Sequence, residues 1–348
     1  MESDSIQSAK THAVKLAGYP AGGYSPETSV ELGLIGVLLI RSHIDKPGSP
    51  IRPSTISPYF LFTFKGQFLS AIKSDIYFRN RYYLNANLRY FNYPDLYFGE
   101  GIHVTGESEK FTDQYIKLDA KAARIIGEKT FAGLSLLWEY DHIYNYTPGG
   151  SLENGSITGY NGGKSFGIGP FYRFDSRNDV LWPSKGWFVE SSAQFFPSGI
   201  FNDYSFTSLL VDMRYYTTVF SKNDILALQA YYNFAGGSSV PFYMLPRLGG
   251  DSRLRGIDHE NYYRDRNAYY FQFEGRRELF WRIGGVLFAG VGGVSRTLSD
   301  FRFGDLKFVF GIGGRFRPFK NENLHLRLDI GKGPGSQYGT YISVGEAF

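Results

Sequence analysis

The chain contains no cysteine, so it can form neither a disulfide framework nor a thiolate metal site. Its six histidines are scattered along the sequence, and no two of them have the spacing of metal ligands. Metal chemistry has no support in the sequence, and no cofactor is expected.

Long hydrophobic runs and strong charge are missing as well. The longest apolar stretch, residues 30–40, is interrupted by Glu31 and two glycines and is far shorter than the roughly eighteen residues that a membrane-spanning helix needs. Charged residues make up 20% of the chain, and the net charge of +4 is small and dispersed. This composition argues against a spanning helix and against nucleic-acid binding.

Aromatic residues and glycine are abundant instead: Phe, Tyr and Trp make up 18% of the chain, and there are 42 glycines. From residue 14 onward, segments with alternating apolar and polar positions are separated by clusters of Gly, Asn, Asp, Pro and Ser. In residues 84–90, for example, Leu, Ala, Leu and Tyr occupy one face and Asn, Asn and Arg the other. Alternation with period two predicts β-strands, and the clusters predict turns.

The segments are too long for a soluble sandwich, whose strands are mostly about five or six residues long. Long strands that are apolar on one face and polar on the other suit a barrel that crosses a bilayer, because lipid cannot satisfy an open sheet edge. The sequence therefore predicts an all-β fold, a closed antiparallel transmembrane β-barrel at 14–348, preceded by a short periplasmic segment at 1–13. The sixteen predicted strands are residues 14–24, 28–42, 54–64, 67–78, 80–91, 114–126, 129–143, 164–175, 186–197, 203–219, 224–236, 268–280, 283–296, 305–317, 323–332 and 338–348.

An even number of strands places both chain ends on one side of the membrane, which we interpret as the periplasm. The longer connections then fall together on the outer face, with residues 43–53 as the one exception; they are residues 92–113, 144–163, 237–267 and 297–304. Residues 1–10 are polar and contain no signal peptide, which an outer-membrane protein requires, so we expect that it has been removed.

Two local patterns are more specific than the barrel. The first lies in the turn between two predicted strands and comprises Asp175, Arg177, Pro183 and Gly186. Asp, Pro and Gly are turn formers, so we interpret this pattern as structural.

The second pattern lies in the longest predicted connection, shortly before a strand that carries Glu274. It comprises Leu254, Arg255, Gly256 and Ile257. A planar guanidinium in a partly dry lumen requires a carboxylate, and glycine allows a close approach of the backbone at a bend.

Together the two patterns resemble the outer-membrane assembly-factor barrels, the bacterial surface antigen superfamily that includes the BamA and TamA barrels and the two-partner secretion transporters. The resemblance covers nearly the whole chain. It implies that the sixth extracellular loop folds into the lumen and that Arg255 meets Glu274 there. In that family a second acid follows on the next strand, where this chain has Gly290, and Ile257 replaces the usual aromatic residue. Arg255 therefore contacts either Glu274 alone or a further acid such as Glu278 or Asp212.

The resemblance also implies a location in the bacterial outer membrane and a role in inserting or translocating other proteins, alone or as an accessory subunit. The implied partners are outer-membrane lipid, lipopolysaccharide, unfolded outer-membrane proteins and assembly-machine subunits. The family's lateral gate lies between the first and last strands, and the chain is expected to be a short member without N-terminal POTRA domains. The alternatives are a passive pore or structural barrel and a hydrolase. We expect no enzyme, since the nucleophile-elbow spelling at residues 163–167 begins a predicted strand.

Overall fold

The computed structural model describes residues 13–41, 53–79, 81–104, 107–320 and 323–348. Most of the segment predicted at 1–13 and the predicted strand positions 42 and 80 lie outside these residues. The strands of the described part are β1 Ala13–Ser25, β2 Ser29–Arg41, β3 Ser54–Thr63, β4 Phe68–Phe78, β5 Tyr82–Tyr97, β6 Glu109–Ile126, β7 Thr130–Tyr144, β8 Gly162–Asp175, β9 Gly186–Phe196, β10 Ser205–Thr218, β11 Asp224–Ser239, β12 Arg247–Leu248, β13 Tyr263–Arg264, β14 Asn267–Phe280, β15 Ile283–Ser295, β16 Lys307–Phe316, β17 Leu326–Lys332 and β18 Tyr338–Val344.

Sixteen of these described strands form one closed antiparallel barrel, as predicted. Successive strands pair in chain order, β11 pairs with β14, and β18 closes the barrel against β1. The remaining two strands, β12 and β13, pair only with each other and lie in the connection between β11 and β14. This small hairpin was not predicted from the sequence.

The strands β5 and β6 are longer than their alternation suggested. They pair continuously from Tyr82 and Arg124 as far as Tyr97 and Glu109, so the connection between them shrinks to residues 98–108. This connection lies at the same end of the barrel as residues 145–161, 240–266 and 296–306, which we call the loop end. The opposite end, where the chain enters β1 and leaves β18, is the turn end.

The three helical elements among the described residues are single 3₁₀ turns: Phe242–Met244, Leu298–Asp300 and Phe303–Asp305. None of the helices found there is long and apolar enough to cross a membrane.

The two faces of the sheet have opposite character. On the outer face, apolar side chains such as Leu287 and Phe310 are 65% and 62% exposed. On the inner face, polar side chains such as Gln272 and Glu274 are buried in the lumen. An apolar exterior around a polar interior is the arrangement expected of a barrel whose outer face contacts lipid.

The seam between the first and last strands is short. β1 pairs with β2 along its whole length, from Ala13 opposite Arg41 to Ser25 opposite Ser29. With β18 it shares, within the described residues, the single register pair Tyr24 and Ile342. The edge of β1 over residues 14–23 therefore has no strand partner in the part of the chain that the structure describes.

The last predicted strand, 338–348, is wrong at its C-terminal end. The strand stops at Val344, Gly345 adopts a φ of +86°, and the chain turns into the lumen. There Ala347 and Phe348 are buried against Tyr216 and Ala227. A position with positive φ favours glycine, and here it diverts residues 345–348, which we call the tail, away from the sheet.

Candidate functional site in the barrel lumen

The connection at residues 240–266, which we call the lumen loop, folds into the barrel instead of projecting into solvent. Leu248, Leu254 and Ile257 are fully buried. They pack in one cluster with Val294 of β15 and Val309 of β16. Apolar residues of a connecting loop are buried here because the inner faces of these strands carry small and apolar side chains at the points of contact.

Backbone contacts fix the bend of the loop at Gly256. The residue has a φ of +122°, and a Cβ added there would lie 2.7 Å from the carbonyl carbon of Lys332. Its N–H donates to the Tyr341 hydroxyl at 3.2 Å, and that hydroxyl donates to the carbonyl of Ile257 at 3.0 Å. Glycine is thus required at this position for two reasons: φ is positive, and there is no room for a Cβ. The bend lies directly against β17 and β18.

Arg255 lies at the centre of the site and is 1% exposed. Its guanidinium pairs with Glu274 of β14 and with Asp329 of β17, both of which are fully buried. The same guanidinium lies over the ring of Phe288, 3.9 Å from its centroid. A buried cation is tolerated when carboxylates and hydrogen bonds compensate for its desolvation, and this arrangement provides two carboxylates and an aromatic face.

The structure thus brings Arg255 and Glu274 together, and it places the other two acids considered from the sequence elsewhere. Asp212 pairs with Arg214 at 2.5 Å, and Glu278 lies 3.6 Å from Arg317. Asp329 is the acid that sequence reasoning missed. Its signal was the alternation in residues 324–330, which assigns Asp329 to the polar face of a strand.

Gly290 explains why the second acid is not on β15. A Cβ at this position would lie 2.6 Å from Cδ2 of Leu254. The lumen loop therefore occupies the space that a side chain at position 290 would need, and Leu254 is also the residue before Arg255. The second carboxylate comes from β17 instead.

Arg255 belongs to a larger and mostly buried cluster of ion pairs formed by β14, β16, β17, the lumen loop and the tail. Arg276 pairs with Glu274 at 2.7 Å, and Arg315 pairs with Asp329 at 2.6 Å. Arg327 pairs with Asp251 of the lumen loop at 2.7 Å. With Glu346 included, the cluster holds four acids and four arginines, so its formal charges balance; the arginines are Arg255, Arg276, Arg315 and Arg327.

The tail joins the same cluster. Arg315 donates from Nε to the Glu346 carboxylate at 2.8 Å, and Arg276 donates from Nη2 to the main-chain oxygen of Phe348 at 2.8 Å. One network of charges therefore connects the lumen loop, the barrel wall and the chain beyond the last strand.

The pattern Asp175, Arg177, Pro183 and Gly186 lies at the turn end, in the connection from β8 to β9. Arg177 is bound to Asp175 at 2.9 Å, and a Cβ on Gly186, whose φ is +109°, would lie 2.7 Å from the carbonyl carbon of Ser176. These contacts are internal to the turn, which agrees with a structural interpretation.

A second attachment of the lumen loop lies at the loop end, at the turn between β1 and β2. The backbone N–H of Glu260 donates to the Glu27 carboxylate at 3.1 Å. Burial, together with the charge of Glu260, raises the pKa of Glu27 to about 8. Burial would also raise the pKa of Glu260, but Arg247 and Arg253 hold it below its usual range. The first hairpin is thus bound to the loop by a carboxyl group whose pKa burial raises far above its usual value.

No group of three or more acidic or histidine side chains among the described residues is arranged to hold a metal ion. The chemistry that the site offers is electrostatic and mechanical: a loop is held in a polar lumen by ion pairs, beside an incompletely paired seam.

The fold and the site define an outer-membrane β-barrel with a loop bound inside it. The Omp85 superfamily domain matches residues 64–333, and the chain belongs to that superfamily. Its location is accordingly the outer membrane.

Solved structures agree on the fold. BamA from Haemophilus ducreyi lacking POTRA domains 1–3 matches 96% of this chain with a TM-score of 0.64 and 14% identity. CdiB from Acinetobacter baumannii and CdiB from Escherichia coli also match 96% of it, with TM-scores of 0.59 and 0.58 and 12% identity each. The chain spans 70%, 65% and 68% of those three chains, respectively. A comparison with curated proteins finds no match.

Proposed function

We propose that this barrel assists the insertion or translocation of other proteins at the bacterial outer membrane, alone or as an accessory subunit of an assembly machine. The observation that carries the proposal is the seam, where β1 and β18 share one register pair among the described residues. The unpaired edge of β1 presents N–H and C=O groups that an incoming strand can pair with. Such pairing would give an unfolded client a template at the membrane.

The strands beside the seam support this role. β17 and β18 have seven residues each, whereas a tilted spanning strand needs about nine to eleven. A bilayer thins locally to match a wall this short. The free-energy cost of this thinning is a deformation of the lipid and is not part of the folding of the client. The region next to the free edge is therefore where insertion would meet the smallest barrier.

We infer that Arg255 pins the lumen loop close to this seam. The adjacent residue Gly256 binds Tyr341, and Tyr341 belongs to β18 itself. A loop held in this way supports the last strand from the inside. The turn end, where the chain enters β1 and leaves β18, faces the periplasm in this proposal, so clients arrive at the free edge from that side and the loop end meets lipopolysaccharide.

The test uses the absence of cysteine. Tyr24→Cys with Ile342→Cys places two thiols at the one register pair of the seam, and Leu228→Cys with Phe273→Cys places a matched pair between β11 and β14. Each protein is reconstituted in liposomes, and the folding rate of an unfolded outer-membrane protein is measured before and after oxidation. We expect acceleration over empty vesicles that oxidation of the seam pair abolishes, that reduction restores, and that oxidation of the control pair leaves intact.

Two outcomes would contradict the proposal in different ways. No acceleration over empty vesicles by the reduced protein would exclude a stand-alone insertase and leave the accessory role. A steady conductance in planar bilayers that is the same with the seam locked or unlocked, without an effect on folding, would instead support a passive pore.

A further inference from the structure

The hairpin of β1 and β2 departs from the pattern of most of the wall, in which the inner face is polar. In β2, Leu32 and Leu34 are 54% and 64% exposed on the outer face, so the alternate positions face the lumen. Those positions begin with Glu31, but towards the turn end they continue with Ile35, Val37 and Leu39. The strand is therefore apolar on both faces over this half.

The inner face of β1 continues the same surface. Its register with β2 places Tyr19 opposite Ile35 and Ala17 opposite Val37, and the apolar surface of β1 ends at Lys15, which lies opposite Leu39 at the turn end. Tyr19 is 49% exposed, although it lies on the lumen side of the sheet. On distant strands the corresponding inner positions are polar; examples are Asn85, Asn87 and Arg89 of β5 and Glu190, Ser192 and Gln194 of β9.

The inner face of β15 is also apolar, but there the lumen loop covers it. Leu254 fills the space above Gly290 and Gly292, and Arg255 lies over Phe288. At the turn-end half of the β1–β2 hairpin, the inner apolar side chains of β2 remain partly exposed, as does Tyr19. Water is an unfavourable neighbour for such a surface, since apolar area gains free energy when it is removed from water.

The free edge of β1 brings the inner face of the hairpin next to the hydrocarbon of the bilayer. Because residues 14–23 have no strand partner among the described residues, the outer apolar face of the barrel continues around this edge to the inner face of the hairpin. Strands that are apolar on both faces are those covered by apolar material on both sides. The outer face of the hairpin contacts the bilayer, and hydrocarbon is continuous with the inner face at the edge.

We propose that acyl chains of the surrounding lipids enter past the free edge of β1 and occupy the inner face of this hairpin, against Tyr19, Ile35, Val37 and Leu39. The seam is then a cleft filled by acyl chains, and the polar lumen begins beyond this cleft. This inference concerns lipid, and it holds whether or not the barrel acts on protein clients.

Single cysteines in this cysteine-free chain test the proposal. Val37→Cys faces the lumen, its neighbour Leu38→Cys faces outward at nearly the same depth, and Ser192→Cys faces the lumen from β9. Each folded variant carries a bimane label in phosphatidylcholine vesicles, and its quenching by brominated phosphatidylcholine is compared with its quenching by aqueous iodide. Leu39→Cys with Ile40→Cys provides a second neighbouring pair if either variant of the first pair fails to fold.

We expect the label at Val37 to be quenched by the brominated lipid as strongly as the label at Leu38, with little quenching by iodide, whereas the label at Ser192 shows the reverse. Iodide quenching at Val37 equal to that at Ser192 would overturn the proposal, because the face would then be wet. Protection from both quenchers would overturn it as well, since a segment of the chain would then cover the hairpin.

Discussion

Replacing Asp329 by asparagine is expected to release the lumen loop nearly as effectively as replacing Arg255. Asp329 is fully buried and faces three guanidinium groups: that of Arg255, that of Arg315 at 2.6 Å and that of Arg327 at 3.4 Å. Its neutralisation changes a cluster of four acids and four arginines into one with an excess positive charge in the lumen. Removing one partner of a buried ion pair costs about 3–5 kcal/mol, and we expect the free energy of unfolding to fall by that order.

The assay is a double-mutant cycle with Arg255→Gln, Asp329→Asn and the double variant, unfolded by guanidinium from vesicles. For a direct contact of this kind the coupling energy should be about 0.5–3 kcal/mol. Trypsin cleavage after Arg253 reports loop release separately from global unfolding. Glu128→Gln, at an exposed position in the turn between β6 and β7, is the control and should change neither readout. A coupling energy indistinguishable from zero would refute the assignment of Asp329 as the second partner of Arg255.

Two further predictions follow, one from backbone geometry and one from titration. Gly256→Ala and Gly186→Ala should each destabilise the barrel by about 1–3 kcal/mol, because both positions have positive φ and a close backbone neighbour. Guanidinium unfolding should show both losses, tryptic cleavage should increase in the lumen loop for Gly256→Ala only, and Gly304→Ala, which meets open space, should be neutral. Burial beside Glu260 raises the pKa of Glu27 from 4.5 to about 8, so the folded chain holds a proton that the unfolded chain has lost between about pH 4.5 and 8. Stability should therefore fall as the pH rises through that window, and unfolding curves of Glu27→Gln should show a weaker pH dependence.

The sixteen barrel strands were predictable because a strand between lipid and a polar lumen must alternate, and alternation is visible residue by residue. The loop-end extensions of β5 and β6 could not be predicted, since they depend on the pairing of these two strands with each other and not on a lipid-facing pattern. The end of β18 at Val344 could not be predicted for a similar reason. Arg276 and Arg315, which bind the tail, lie on strands that are distant in sequence. The contact of Arg255 with Glu274 could be inferred by resemblance, whereas the role of Asp329 required the register of a closed barrel.

The move of the second acid from β15 to β17 changes what the lumen loop is attached to. β15 is separated from β18 by β16 and β17, whereas β17 pairs directly with β18, the last strand of the seam. Asp329 also binds Arg315, and Arg315 binds Glu346 of the tail. The loop and the tail are thus held by the same set of ion pairs, so a substitution that removes the Glu346 carboxylate is expected to leave Arg315 to compete with Arg255 for Asp329. We expect release of the tail and loosening of the loop to be coupled in this chain through Asp329, which links Arg255 to Arg315, and through Glu274, which links Arg255 to Arg276.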